Sequence, residues 1–150
     1  MSDYDADVLA WSEHQAGLLR RRAAGELINE AELDWPNIAE EIEALGKNLD
    51  RELASRISAI LLHLMKLQTS PAIDPRAGWR DTVQEQRDEV ERLLSFAPSR
   101  RSRVTAVIAE ETGRARRRAR MALADHDEQP ASDLDAISYT EDQVLGPWLP

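Results

Sequence analysis

Between Trp35 and Leu67 an apolar side chain recurs every three or four residues, at Trp35, Ile38, Ile42, Leu45, Leu49, Leu53, Ile57, Ile60, Leu64 and Leu67. That spacing keeps one face of a helix apolar, and in a strand it would scatter the same residues over both faces. One long helix of roughly 50 Å, at about 1.5 Å per residue, is therefore predicted. Asp34 stands at its N-cap and Pro36 in its first turn, where a missing N–H costs nothing. Gly46 is its weak point. An interior glycine costs about 1 kcal/mol against alanine, so a kink or break near Gly46-Lys47-Asn48 is the alternative to a continuous rod.

The helical period also governs the rest of the chain, and no segment shows sustained alternation rich in Val, Ile and Thr. A first helix is expected from about Asp5 to Ala24, with Tyr4, Val8, Trp11, Gln15, Leu18 and Arg22 on one side and Gly25 just past its end. Asp74-Pro75 reads as the cap and first position of a third helix that reaches about Phe96, with Trp79, Val83, Gln86, Val90 and Leu93 on its seam. A fourth restarts at Pro98-Ser99 and carries Val104, Ile108, Glu111, Ala115, Ala119 and Ala122 on one face, the alanines implying a close helix approach. Residues 125–150 read as an irregular tail, in which Thr140 and Gln143 resemble a capping box and Trp148 and Leu149 tuck onto the body. The expected fold is all-α: an antiparallel bundle of about four helices with one long second helix, a single domain over residues 1–150 with its core at about 4–124.

Composition narrows the function classes. A chain of 150 residues holds one sizeable core without staples, and with no cysteine it has no disulfide, thiolate metal site or cysteine nucleophile. The N-terminus lacks a secretory signal pattern, and the apolar stretch from Ala59 to Met65 is far too short to span a membrane, so a cytoplasmic protein with no membrane partner is expected. The net charge of -9 opposes general nucleic-acid binding. Eight arginines nevertheless fall between Arg100 and Arg120. Arg116, Arg117 and Arg120 share the face opposite the alanines, a candidate anion or nucleic-acid surface, although no interleaved aromatic offers a stacking platform.

The acids of LDWPNIAEEIEALGKN, residues 33–48, divide by position. Asp34 caps, Glu40 and Glu43 fall on the wet face, and Glu41 borders the apolar stripe. From Glu41 a second seam continues through Leu45, Asn48, Glu52, Arg56, Ala59 and His63. Gln15, Gln86 and Glu111 take positions where their own helices call for an apolar side chain. If inside, such groups need partners, so Glu41, Arg56, His63, Gln15 and Gln86 form a candidate polar bundle site, which is either a register-fixing network or a pocket. No catalytic residue is assigned and no cofactor is expected. No Glu-x-x-His pair occurs, and His14, His63 and His126 are not spaced as ligands, so no metal site is expected.

Tyr4-Asp5 with Trp11 and Gln15, then LDWPNIAEEIEALGKN, then LASRISAILLHLMK at 53–66 and GWRDTVQEQR at 78–87 together resemble a bacterial family known as domain of unknown function twenty-nine. The resemblance extends to Tyr139-Thr140 and the closing Trp148-Leu149-Pro150, and it implies a small all-helical fold with no assigned activity. Pro36, Lys47-Asn48 and Leu67 depart from the family pattern. The apolar surround of ILLHLMKL at 60–67, with Trp35, Trp79 and Trp148, leaves surface for a second subunit. The expected role is a non-catalytic protein-interaction or regulatory module, with a homo-oligomer or protein partner. The alternatives are a ligand-binding protein or enzyme using the polar bundle site, and a nucleic-acid-associated protein using the arginine face.

Overall fold

Short-range hydrogen bonds decide where each helix starts and stops. A computed structural model describes residues 2–150, and among them there is no strand. The chain is all-α, and four long helices carry it. It divides into two compact units, Met1–Asn48 and Leu49–Pro150.

In the first unit, α1 (Asp3–Ala6) is a single turn closed by a capping box between Ser2 and Asp5. α2 (Val8–Ala23) starts afresh, because Asp7 is extended and its carboxylate accepts from the Leu9 and Ala10 amides. The expected continuous helix from Asp5 is thus split by its own N-cap. It ends as expected at Gly25, whose φ of 83° lets Glu26 N–H reach back to the Arg21 carbonyl. Three 3₁₀ residues, Glu30–Glu32, lead to Asp34, whose Oδ1 accepts from Asn37 N–H at the start of α3 (Trp35–Thr69). Pro36 occupies the first turn. α3 is helical through Gly46, so the break considered there does not occur.

Buried side chains in this unit are few: Trp11, Gln15, Leu18 and Leu33. Trp35, Ile42 and Leu45, which the periodicity puts on the core-facing stripe of α3, are instead 47%, 68% and 58% exposed.

The second unit holds the core. From Leu53 onward α3 packs with α4 (Arg76–Phe96) and α5 (Val104–Asp125), and Leu53, Ile57, Ile60, Leu61, Leu64, Met65, Val83, Val90 and Val104 are all essentially inaccessible. ILLHLMKL has no apolar face left for a second subunit, since Ile60, Leu61, Leu62, Leu64, Met65 and Leu67 are all buried. α3 and α4 run antiparallel: Lys66 Nζ lies over the Trp79 ring, while Arg56, ten residues earlier, bonds to Gln86, seven residues later. Pro75 rather than Asp74 precedes α4, with no side-chain cap. The bend before it is closed by Arg76 N–H to the Ile73 carbonyl and by the Arg76 guanidinium on the Leu67 and Ser70 carbonyls.

Beyond α5 the chain returns along this unit and buries Leu134, Ile137, Tyr139 and Val144. The expected capping box is present: Thr140 accepts from Gln143 N–H and Gln143 Oε1 from Thr140 N–H, opening α6 (Glu141–Leu145). Trp148 rests at a tilt 5.8 Å from Tyr139.

Candidate functional site

Of the five polar residues expected at one site, two belong to the first unit and three to the second, and they fall into separate sets of partners. Gln15, buried on α2, is a two-ended clamp. Its Nε2 donates to the Glu32 carbonyl at 3.0 Å and its Oε1 accepts from Asp34 N–H at 2.9 Å. A side-chain amide is matched to this task, since it satisfies one backbone acceptor and one backbone donor in a turn that has no ladder of its own. The indole N–H of Trp11, one helical turn earlier on α2, donates to Asp34 Oδ2 at 3.1 Å, and Asn37 Nδ2 donates to the same oxygen at 2.8 Å. These donors hold the Asp34 carboxyl below its ordinary value, the Asn37 side chain acting most strongly. Glu41 faces solvent and accepts from the Tyr4 hydroxyl, a bond that pushes the Tyr4 phenol up to about 12. Tyr4 in turn stands edge-on to Trp11, ring centres 4.9 Å apart. Tyr4, Trp11, Gln15, Asp34, Asn37 and Glu41 therefore form one clasp that fastens α1 and α2 to the start of α3.

Arg56 and Gln86 do meet. Arg56 Nη1 donates to Gln86 Oε1 at 3.2 Å, its Nε donates to Glu52 Oε1 at 3.0 Å, and its Nη2 lies 2.9 Å from Glu52 and 3.8 Å from Glu89. Arg92 completes the set on Glu89 at 2.6 Å. Every nitrogen of the Arg56 guanidinium has an oxygen within reach, so this half-buried cation is balanced where it sits.

His63 lies two turns further along α3 and joins neither set. Its Nδ1 is 2.8 Å from the Ala59 carbonyl, which places the proton on Nδ1. Burial, and the nearby Lys66 and Arg118 cations, depress its pKa below 6.5.

The arginine face is only partly free. Arg116 donates through Nε and Nη2 to the Ile137 carbonyl, and Arg120 pairs with Asp135 at 2.7 Å, so two of the three candidate cations hold the returning chain. Arg117 faces solvent. Glu111 pairs with Arg114, its i, i+3 neighbour on α5, at 3.2 Å. Among the described residues no group of three or more His, Cys, Asp or Glu is placed to hold a metal ion.

One residue outside the expected site is central to the second unit. Arg87 is 7% exposed, between Val83 and Val90, and its guanidinium donates to the carbonyls of Val144 at 2.8 Å, Gln143 at 2.8 Å and Trp148 at 2.7 Å. Burial lowers its pKa. The signal was present in the sequence: Val83, Arg87, Val90 and Leu94 follow the 4, 3, 4 spacing of a buried stripe.

The family model described as a domain of unknown function, DUF29, matches residues 4–148. The chain belongs to that family. No curated protein and no solved structure gives a significant match. The match spans the DUF29 clasp at Tyr4, Trp11, Gln15 and Asp34 as well as the Arg87 anchor. No helix among the described residues of this DUF29 chain is long and apolar enough to cross a membrane.

Proposed function

We propose that this DUF29 protein is a non-catalytic interaction module that pairs with a second copy of itself through the first half of α3. The observation that carries this is the exposure of Trp35, Ile42 and Leu45 on one stripe of that helix. With Ile38 between them the spacing is 3, 4, 3, the seam that one helix offers to another. Charge selects the partner and its direction. Two such stripes running antiparallel and centred near Ala44 set Lys47 of each copy opposite Glu40 of the other, whereas a parallel pair would align acid with acid.

Burying the exposed part of each of these three side chains is worth roughly 1 kcal/mol, and a two-fold interface counts each twice. The resulting gain of about 6 kcal/mol stands against an association cost of roughly 4–15 kcal/mol, so the pairing is weak and depends on concentration. Sedimentation velocity over a wide concentration range tests it. Mass should rise with concentration for the natural chain, Ile42→Glu should remain a monomer, and Lys47→Glu should weaken pairing. A chain that stays monomeric at the highest concentration reached, or an Ile42→Glu variant that pairs equally well, contradicts the proposal.

The saturated bonding of Arg56 and the commitment of Arg116 and Arg120 to residues 135–137 give less support to a polar-pocket enzyme or a nucleic-acid binder.

A further inference from the structure

The second unit contains a cleft of about 330 Å³ along α4, lined by Gln84, Arg87, Asp88, Glu91 and Leu94 together with Arg101 and residues 145–147. That volume lies at the lower end of the roughly 300–1,000 Å³ typical of small-molecule sites, enough for a metabolite and too little for a nucleotide or polymer.

Three features of the lining specify what fits. Arg87 is more than nine-tenths buried, yet its only partners are three backbone carbonyls, taken by Nε and Nη2. Its charge meets no carboxylate of the described residues. Nη1 makes no bond with any described residue, and Arg87 lines the cleft. A desolvated guanidinium with one unused edge attracts a carboxylate strongly. Arg101, also in the lining, makes no ion pair with any described residue and adds a second positive group.

The acids supply the complementary half. Asp88 accepts one bond, from Gln84 at 3.1 Å, and Glu91 stands one turn beyond Arg87, about 6 Å along the helix axis, with no cation paired to it. They sit too close to the arginines for a simple anion to be the best ligand, since it would face two like charges. The floor is apolar: Val90 and Leu94 are buried and Leu145 is half-buried. Gly146 closes against α6, where a Cβ would overlap the Asp142 carbonyl oxygen.

We infer that this cleft binds a small zwitterion, an α-amino acid with an apolar side chain, its carboxylate on Arg87 Nη1 and Arg101, its ammonium on Asp88 and Glu91, and its side chain against Leu94 and Leu145. Two cations, two anions and an apolar floor are each used once. The inference stands independently of self-association through α3.

Isothermal titration of the full chain with L-leucine and L-phenylalanine, each to roughly 50 mM so as to reach beyond millimolar dissociation constants, provides the test. Saturable binding is expected for at least one of them. N-acetyl-leucine and leucinamide, each lacking one charge, should bind at least about tenfold more weakly, as should the amino acid to Arg101→Ala and Glu91→Gln, whose exposed side chains make no bond in the fold. Both variants should keep the natural thermal midpoint. No saturable heat with either amino acid overturns the inference, as does equal affinity for the blocked forms or for the two variants.

Discussion

The two units of this DUF29 chain share α3, and they use it in opposite ways. In the second unit the helix is enclosed: Ile57, Ile60, Leu61, Leu64 and Met65 are inaccessible, and α4, α5 and the returning chain supply their neighbours. In the first unit the same apolar period continues and Ile42 and Leu45 stay in water. That unit is held by a few bonds with defined geometry, Gln15 on two backbone groups and Asp34 on Trp11 and Asn37, rather than by area. Periodicity states which face of a helix is apolar. How much of that face is covered depends on how many other elements reach it, and a unit of under fifty residues has few to offer.

The largest break in this contrast should come from Leu64→Ala. It empties a site with no access to water and should lower stability by about 2–5 kcal/mol in urea unfolding, while Leu45→Ala in the first unit should change it by no more than about 0.5 kcal/mol at low protein concentration. Equal losses would show that both halves of α3 are equally packed. Next is Gln15→Ala, expected to lower stability by about 1–3 kcal/mol because it leaves the Asp34 amide and the Glu32 carbonyl without partners. The Trp11 indole resonance should report the loss directly, and an unchanged resonance with unchanged stability would mean that the clasp does not hold the unit.

A pH effect follows from His63 and is confined to the second unit. Its folded pKa is depressed below 6.5, so the unfolded chain binds the proton more readily and stability rises with pH across that interval. The stabilising difference is complete above pH 6.5 and is lost as pH falls from there through the folded value. His63→Gln should flatten the stability profile in that window alone, and an unaltered slope would contradict the assignment. The smallest effect should be that of Ser58→Ala. Ser58 Oγ is the one buried side-chain polar atom among the described residues without a partner, so removing it should leave stability unchanged or raise it by at most about 1 kcal/mol.

Helix identity was legible in the sequence because periodicity and caps are local. Asp34, Gly25 and the Thr140–Gln143 box act within five residues of themselves, and each does what its spacing implies. The split at Asp7 was hidden because a good N-cap residue inside a periodic run breaks the helix without breaking the period. The candidate site was only partly legible. Arg56 with Gln86 follows from two seams facing each other, whereas Glu41 bonds to Tyr4 and Gln15 to a turn, pairings that depend on how loops return. Arg87 was missed as a site residue for the same reason: its partners are carbonyls nearly sixty residues away, and carbonyls leave no mark in a sequence.

Amide hydrogen exchange along α3, measured at low and at high protein concentration, tests the central contrast most directly. Protection over residues 53–67 should be high and independent of concentration, while that over residues 38–47 should be low in dilute solution and rise with concentration as the apolar stripe of one copy covers that of another. Equal protection along the whole helix at every concentration would contradict both the contrast between the two units and the role proposed for the exposed stripe.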